Sequence, residues 1–304
     1  MYHEHFGLRE APFTITPDTN FFFAHSSHRE ALNTLLVAVR SGEGFMKVVG
    51  EVGTGKTMLC RKFLSALEKE QCLSAYIPNP YVGPSTLLLG VADELGVDYP
   101  ERVNQHQLLK LLTRFLVGSG AEHKRVVLCL DEAQAMPLET LEALRLLTNL
   151  ETERRKLLQV VLFGQPELDV KLNDRAIRQL KQRITFSCRL QPLSLADVDF
   201  YIAHRLTIAG YRGPRVFSSE AVKRVFRASA GVPRLINILA HKAMMAAFGE
   251  GARHVGDRHA RVAVADTESV GSAKRFGHRL LRYLGLAAGI ALISLSIVGW
   301  IGWT

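Results

Sequence analysis

The sequence predicts an α/β domain built on a parallel sheet, followed by a small all-α domain and one transmembrane helix near the C-terminal end. Up to Pro192, short apolar segments rich in β-branched residues alternate with segments of helical periodicity. This alternation is typical of a parallel sheet that is covered by helices on both faces. After Pro192 the strand pattern stops, and residues 284–303 carry no charged side chain.

Five strands are expected in the first domain, at Phe45–Gly50, Leu73–Ile77, Val126–Leu130, Leu158–Phe163 and Ile184–Leu190. Between them, helical periodicity is clearest over Lys56–Lys69, Ser85–Leu95 and Leu138–Leu150. In the second domain, helices are expected over Ala196–Ala209, Ser219–Ala230 and Pro233–Phe248. The α/β domain is therefore assigned to residues 1–192, including an aromatic and proline-rich segment over 1–40, and the helical lid domain to 193–249.

A basic linker over residues 250–282 is expected to lead into a transmembrane helix over 283–303. An α-helix rises about 1.5 Å per residue, so roughly 20 apolar residues cross the ~30 Å hydrocarbon core of a bilayer. Trp300 and Trp303 stand near one end, where indole rings favour the membrane interface. Basic residues such as Lys274 and Arg282 precede the other end and predict that the bulk of the chain is cytoplasmic. A buried core helix and an interfacial helix are the alternatives.

Composition limits the possible functions. The net charge is +9; residues 250–282 contribute +3, from seven Lys/Arg and four Asp/Glu, and the first 249 residues contribute the remaining +6. Such a mildly basic body lacks the dense basic arm of a dedicated nucleic-acid binder. The four cysteines form no CxxC pair, which argues against a zinc site or a disulfide framework. The N-terminus has neither the basic nor the apolar region of a secretory signal.

The strongest motif matches GxxxxGK[ST] between the first predicted strand and the helix that follows. In such a loop the glycines let backbone N–H groups turn toward phosphates, and the helix N-terminus adds positive potential. Lys56 is expected to reach the β- and γ-phosphates of ATP, and the Thr57 hydroxyl to bind Mg²⁺. The predicted nucleotide-binding loop consists of Gly50, Glu51, Val52, Gly53, Thr54, Gly55, Lys56 and Thr57.

Two acids, Asp131 and Glu132, directly follow the third predicted strand. Ligands of open parallel sheets bind at the carboxyl ends of the strands, where these acids are expected to lie. Asp131 is expected to hold Mg²⁺ through water, together with Thr57, and Glu132 to orient or deprotonate the attacking water. A solvated strand end is the alternative, but an acid beside Mg²⁺–ATP indicates hydrolysis rather than binding alone.

Three further segments, with the sequences LFGQ, LKQR and GVPR, complete a pattern that resembles the AAA+ ATPases. The resemblance implies that Gln165 is the polar sensor, Arg183 the arginine finger and Arg234 the second sensor, which reaches the γ-phosphate. Asn79 follows the second strand and, by the same resemblance, is expected to pair with Glu132 and gate hydrolysis.

An arginine finger normally acts across a subunit interface. The AAA+ resemblance therefore implies a homo-oligomer, either a ring or a dimer, with the finger acting in trans. Arg175 and Arg178 lie close enough to Arg183 in the sequence to take this role instead.

The N-terminal segment extends the resemblance to one family. The order HFGL, PF, TPD and FFF, followed by HREAL and GEGF, resembles ATPases of the general secretion pathway protein A (ExeA) family, above all its MSHA pilus biogenesis branch. The likeness covers roughly residues 1–250. It implies ATP-driven assembly of a secretion or type IV pilus machine, with partner proteins, at the bacterial inner membrane.

Two details follow from this resemblance. Secretion members carry a long periplasmic region that engages the cell wall, whereas this sequence stops at Thr304, so direct peptidoglycan binding is not expected. The aromatic run Phe21–Phe23 is expected either to pack on the adenine pocket or to cap the core.

Two other function classes compete with an assembly ATPase. The first is a DNA-associated AAA+ helper of the transposition-regulator type; the body charge permits it, but no helix-turn-helix pattern supports it, and nucleic acid is not expected as a partner. The second is a nucleotide-gated scaffold that hydrolyses slowly and recruits partners. The acid at Glu132 argues against the scaffold.

Overall fold

The computed structural model describes residues 2–148, 151 and 156–267. Five parallel strands form one sheet in the order β2-β3-β4-β1-β5. They are β1 (Phe45–Val49), β2 (Leu73–Ile77), β3 (Val126–Leu130), β4 (Gln159–Gly164) and β5 (Ile184–Arg189). The predicted parallel sheet is thus confirmed, with strand ends within about one residue of expectation.

The described part of the chain contains twelve α-helices. These are α1 (Tyr2–Phe6), α2 (Ser26–Arg40), α3 (Lys56–Lys69), α4 (Pro84–Leu95), α5 (Gln105–Ala121), α6 (Leu138–Leu147), α7 (Glu167–Leu172), α8 (Arg178–Lys181), α9 (Leu195–Ile208), α10 (Ser219–Ser229), α11 (Pro233–Gly249) and α12 (Asp257–Ala265). Local signals set several of their starts. Asn104 and Ser194 form capping boxes at α5 and α9, and Pro233 occupies the first turn of α11, where its missing N–H costs nothing.

The sheet is buried on both faces by two helical layers. In β3, Val127 and Cys129 point to the face covered by α2 and α3, whereas Val126, Leu128 and Leu130 point to the face covered by α4, α5 and α6. Because successive side chains alternate between two buried faces, the whole strand is apolar. β5 is different: it lies at the sheet edge, and its half-buried and exposed residues alternate.

Helices α9 to α12 form a lid domain beside the sheet, with a hydrophobic core of its own. The predicted basic linker over 250–282 must be corrected at its start, because residues 257–265 are helical and bury Ala260 and Ala263 against this core. Helix α12 is only nine residues long and buries small side chains such as Ala260 and Ala263, so its apolar signal in the sequence is weak. The lid therefore extends beyond residue 249.

The N-terminal segment also requires a correction. It was assigned to the α/β domain, but its apolar side chains complete the core of the lid: Tyr2, Phe6, Leu8, Phe13 and Phe21. The chain thus starts on the lid, crosses to the α/β domain at α2 and returns to the lid at α9. The prediction was wrong because the N-terminal segment directly precedes the α/β domain in the sequence, whereas its packing partners in the lid come much later.

The predicted transmembrane helix over 283–303 lies outside the described residues. Among residues 2–148, 151 and 156–267, no helix has the length and apolarity that crossing a bilayer requires.

Candidate nucleotide site

The loop between β1 and α3 has the backbone that a phosphate cradle requires. Gly53 and Gly55 adopt φ values of 81° and 95°, a left-handed region that side-chain-bearing residues rarely enter. The loop is anchored to the sheet by the Gly50 N–H, which donates to the Gly164 carbonyl over 3.1 Å. Helix α3 then begins at Lys56, so that its N-terminus faces the loop.

The lid domain touches this loop directly. The backbone N–H of Arg234, at the start of α11, donates to the carbonyl oxygen of Gly53 over 3.2 Å. A Cβ atom on Gly53 would lie 2.6 Å from the Cβ of Arg234, so glycine is required here for close approach as well as for φ. Arg234 lines the same cavity as the loop; its predicted role as the second sensor stays a prediction.

Lys56 is buried within the loop. Its ammonium donates to the carbonyl oxygens of Gly50 and Glu51, over 2.9 Å and 3.1 Å. Burial lowers the pKa of Lys56, and the carboxylates of Glu132 and Asp131 oppose that shift without cancelling it. The ammonium is thus a desolvated cation at the bottom of a cavity, which suits the phosphates of a nucleotide.

Thr57 and Asp131 meet at the carboxyl edge of the sheet. The Thr57 hydroxyl donates to the Asp131 carboxylate over 2.6 Å, and the backbone N–H of Glu132 donates to the other oxygen over 3.0 Å. Burial raises the pKa of Asp131 despite these two hydrogen bonds. A hydroxyl and a carboxylate held together are the hard oxygen donors that Mg²⁺ prefers, so these two side chains fit the ion that the sequence predicts.

Glu132 is held by two amides. Its carboxylate accepts hydrogen bonds from Nε2 of Gln134 (2.6 Å) and from Nε2 of Gln165 (2.9 Å). Partial burial raises the pKa of this carboxyl, but the two amides and the charge of Lys56 outweigh that effect and lower it overall. Glu132 is therefore ionised near neutral pH, as a base for water must be. The backbone at Glu132 is left-handed, with φ of 53°.

The predicted pairing of Asn79 with Glu132 is not formed. Asn79 is exposed, and its side-chain oxygen accepts from the N–H of Tyr81 over 3.3 Å. The Glu132 carboxylate instead accepts hydrogen bonds from Gln134 and Gln165. Gln134 was not predicted, because its contact with Glu132 depends on a 3₁₀ turn that brings the two side chains together. No motif in the sequence marks such a turn.

Arg183 lies far from the P-loop of its own chain. It precedes Ile184, which pairs with Phe45 at the start of β1, whereas the P-loop follows the other end of β1. At about 3.3 Å per strand residue, the two sites lie roughly 15–20 Å apart. Arg183 is half-buried, while Arg175 and Arg178 are exposed.

One cavity of about 230 Å³ joins the P-loop to the lid and to the N-terminal strap, the name used here for residues 12–23. The strap contributes residues from Thr14 to Phe23, and the lid contributes Tyr201, Arg205, Arg234 and Asn237. Phe21 is buried in the lid core, which agrees with the expected cap of a core, and Phe21, Phe22 and Phe23 all line the cavity.

His28, in α2, supports the P-loop from beside the cavity. Its Nε2 lies 2.9 Å from the carbonyl oxygen of Thr54, and a Cβ on Gly55 would come within 3.1 Å of the same nitrogen. The ring is buried, and Phe22 packs edge-on against it at 6.0 Å between centroids. The sequence showed His28 within the HREAL segment but gave no role for it, because its partner is a backbone atom.

Residues 39–172 match the family model described as AAA domain. Over 303 residues, the whole of this chain, the sequence is 40% identical to general secretion pathway protein A of Aeromonas hydrophila. The chain therefore contains an AAA domain. The resemblance to the general secretion pathway protein A family that the sequence predicts is confirmed. This chain spans 54% of the length of that relative.

Solved structures show the same fold. The Cdc6p protein of Pyrobaculum aerophilum superposes with a TM-score of 0.61 at 18% identity, covering 83% of this chain and 68% of that one. The Drosophila ORC bound to DNA gives a TM-score of 0.61 at 20% identity, covering 81% of this chain and 61% of that one. At such identities the likeness concerns the fold alone.

Proposed function

We propose that this AAA+ ATPase is anchored in the bacterial inner membrane and hydrolyses Mg²⁺–ATP to support assembly of a type IV (MSHA-type) pilus or a secretion machine. The 40% identity to a general secretion pathway protein along the whole chain carries the proposal. Lys56, Thr57 and Glu132 line one cavity, and Asp131 accepts a hydrogen bond from Thr57 there; this arrangement supports the hydrolytic part.

The site residues divide the chemistry between them. Lys56 and Arg234 place positive charge where the phosphates of ATP would lie, and Thr57 with Asp131 would hold Mg²⁺. Bound Mg²⁺ neutralises charge that develops on the phosphates. Glu132 accepts the proton of the attacking water, and Gln165 keeps that carboxylate ionised and oriented.

The chain is proposed to act as a homo-oligomer. Arg183 lies at the edge of the sheet opposite the P-loop, so it cannot complete its own site and would act on the nucleotide of a neighbouring chain. Inner-membrane pilus or secretion proteins are the proposed partners, and residues 283–303 are the proposed anchor.

Membrane anchoring is tested by fractionating cells that express the full chain or a chain truncated after residue 270. The full chain is expected in the membrane fraction, resistant to carbonate extraction, and the truncated chain in the soluble fraction. Recovery of both chains as soluble protein would remove the anchor from the proposal.

The assembly role is tested by complementation. A strain lacking this gene is expected to lose surface pili or secretion, and the wild-type chain is expected to restore them. A Glu132→Gln chain at equal abundance should fail. Restoration by Glu132→Gln would favour the scaffold over the ATP-driven machine.

The DNA-associated alternative gains no separate support. The likeness to Drosophila ORC bound to DNA concerns the fold, at 20% identity. A gel shift with residues 1–250 at rising salt tests it, since phosphate contacts give binding that falls steeply with salt concentration.

A further inference from the structure

Arg205, in helix α9 of the lid, is a buried arginine in the wall of the nucleotide cavity. It is only 5% exposed. Among the residues that the structure describes, no acidic side chain forms an ion pair with it. Burying an unpaired charge is costly, so neutral groups must compensate for the lost water.

Those neutral groups belong largely to the N-terminal strap. The guanidinium donates to the carbonyl oxygen of Pro12, and it reaches the hydroxyl and the carbonyl oxygen of Thr14 over 3.3 Å and 3.5 Å. Its carbon lies 4.5 Å from the ring centroid of Phe21, within cation–π range. Arg205 therefore contacts the strap near both of its ends, although nearly 200 residues separate Arg205 from the strap in the sequence.

A second lid residue closes the same network. Nδ2 of Asn237 donates to the Thr14 carbonyl over 3.2 Å, and its Oδ1 accepts from the Tyr201 hydroxyl over 2.9 Å. The Tyr201 oxygen in turn lies 3.2 Å from the Arg205 guanidinium. Helices α9 and α11 thus hold the strap through one connected set of buried polar groups.

Two other residues of the strap, Pro17 and Phe22, are attached to the α/β domain instead. Arg61, in α3, donates to the carbonyl oxygen of Pro17 over 2.8 Å, and Phe22 packs against His28. The strap therefore bridges the lid and the α/β domain along the cavity that contains Lys56 and Arg234. Its path across the cavity depends on both attachments.

We propose that Arg205 is a positioning residue for nucleotide binding: it fixes the N-terminal strap as a wall of the cavity and so sets the affinity for ATP. The inference rests on the nucleotide binding proposed above. The guanidinium acts through the strap rather than on the phosphates, because its nitrogens are directed at Pro12, Thr14 and Tyr201. A planar fork with several donors is required, which a lysine ammonium does not supply.

The test compares affinities of full-length variants for Mg²⁺–ATP, by competition with a fluorescent ATP analogue. Arg205→Met and Arg205→Lys are both expected to weaken binding by roughly tenfold, the effect of losing a hydrogen bond to a charged group. Asn237→Leu, which removes two neutral hydrogen bonds at nearly constant volume, should weaken it by about fivefold or more. KM should rise in parallel while kcat at saturating ATP stays unchanged, since the strap holds ground and transition states alike.

Arg215→Met is the matched control. Arg215 is also a lid arginine that donates to a backbone carbonyl, that of Phe217, and it pairs with Asp199 outside the nucleotide cavity. Its loss should leave ATP affinity within about twofold of wild type. Backbone hydrogen exchange of residues 12–23 should accelerate in Arg205→Met but not in the control.

Three results would overturn the proposal. Wild-type affinity in Arg205→Met would show that the strap does not need the arginine, and wild-type affinity in Arg205→Lys would show that charge alone matters. If Arg205→Met does not fold, wild-type affinity in Asn237→Leu decides against the network. A wild-type chain that fails to bind ATP at all would instead remove the nucleotide site itself.

Discussion

The imidazole of His28 and the carbonyl oxygen of Thr54 lie 2.9 Å apart, so the P-loop is hydrogen-bonded to a helix that precedes its own strand. Burial lowers the pKa of His28, which keeps the ring neutral with one N–H to donate. His28→Ala is expected to weaken Mg²⁺–ATP binding by roughly five- to tenfold, because the loop loses this hydrogen bond. His28→Gln, whose amide can donate from a similar position, should recover most of the affinity. Equal binding by His28→Ala and wild type, measured by calorimetry, would contradict this role.

The hydrogen bond from Gln165 to Glu132 predicts a change in the pH profile. This bond helps to lower the pKa of Glu132, so its loss should raise that pKa and move the acid limb of kcat to higher pH. Gln165→Leu is therefore expected to lose the largest fraction of its activity below about pH 6. An exposed glutamine that bonds Ser85, changed in Gln105→Leu, should leave the profile in place. An unshifted acid limb in Gln165→Leu would show that Glu132 is not the titrating base.

The two neighbouring acids should respond to neutralisation with opposite signs. Because the folded state raises the pKa of Asp131, its charge opposes folding above that pKa, and Asp131→Asn should raise Tm at pH 7.5 by roughly 2–4 °C. This gain should disappear as the pH falls and Asp131 itself takes up a proton. The pKa of Glu132 is lowered, so Glu132→Gln should lose stability at pH 7.5. Thermal scans without Mg²⁺ and nucleotide measure the Tm of both variants. A change of Tm with the same sign in both would refute the argument.

The same two variants should be inactive: neither should hydrolyse ATP at more than about 1% of the wild-type rate.

The position of Arg183 predicts complementation between two inactive variants. Lys56→Ala removes the nucleotide site of a chain, and Arg183→Ala removes the group that it would offer to a neighbour. Each variant alone should be inactive, whereas a mixture should recover activity, because some interfaces pair an intact Lys56 with an intact Arg183. Arg175→Ala and Arg178→Ala are the matched controls and should stay active. A mixture as inactive as its components would place the finger elsewhere or exclude action in trans.

The sheet and the phosphate loop were predictable because their signals are local. A strand such as Val126–Leu130 is apolar throughout since both of its faces are covered, and the glycines of the loop are set by backbone geometry. The acids after β3 followed from the rule that ligands lie at the carboxyl ends of parallel strands.

The supports of the site were not predictable in the same way. Gln134 bonds the nearby carboxylate of Glu132, whereas His28 and Arg205 bond backbone carbonyls that lie far away in the sequence. None of these contacts produces a recognisable pattern along the chain. The expected role of Asn79 was wrong for a different reason: its position after β2 does not fix where the side chain points. The N-terminal strap was assigned by its place in the sequence, and its contacts with α9 and α11 required the fold.

The packing of the N-terminal residues into the core of the lid has a consequence for biosynthesis. Phe6 and Phe13 leave the ribosome well before the lid residues of the same core, such as Val216 and Met244, which are made about 200 residues later. At roughly 5–20 residues per second, this means a delay of about 10–40 s during which an apolar segment has no partner. A lid fragment that starts at residue 193 would have the converse defect, an open groove where the N-terminus belongs. Both ends of the described chain must therefore be present before either can complete its fold.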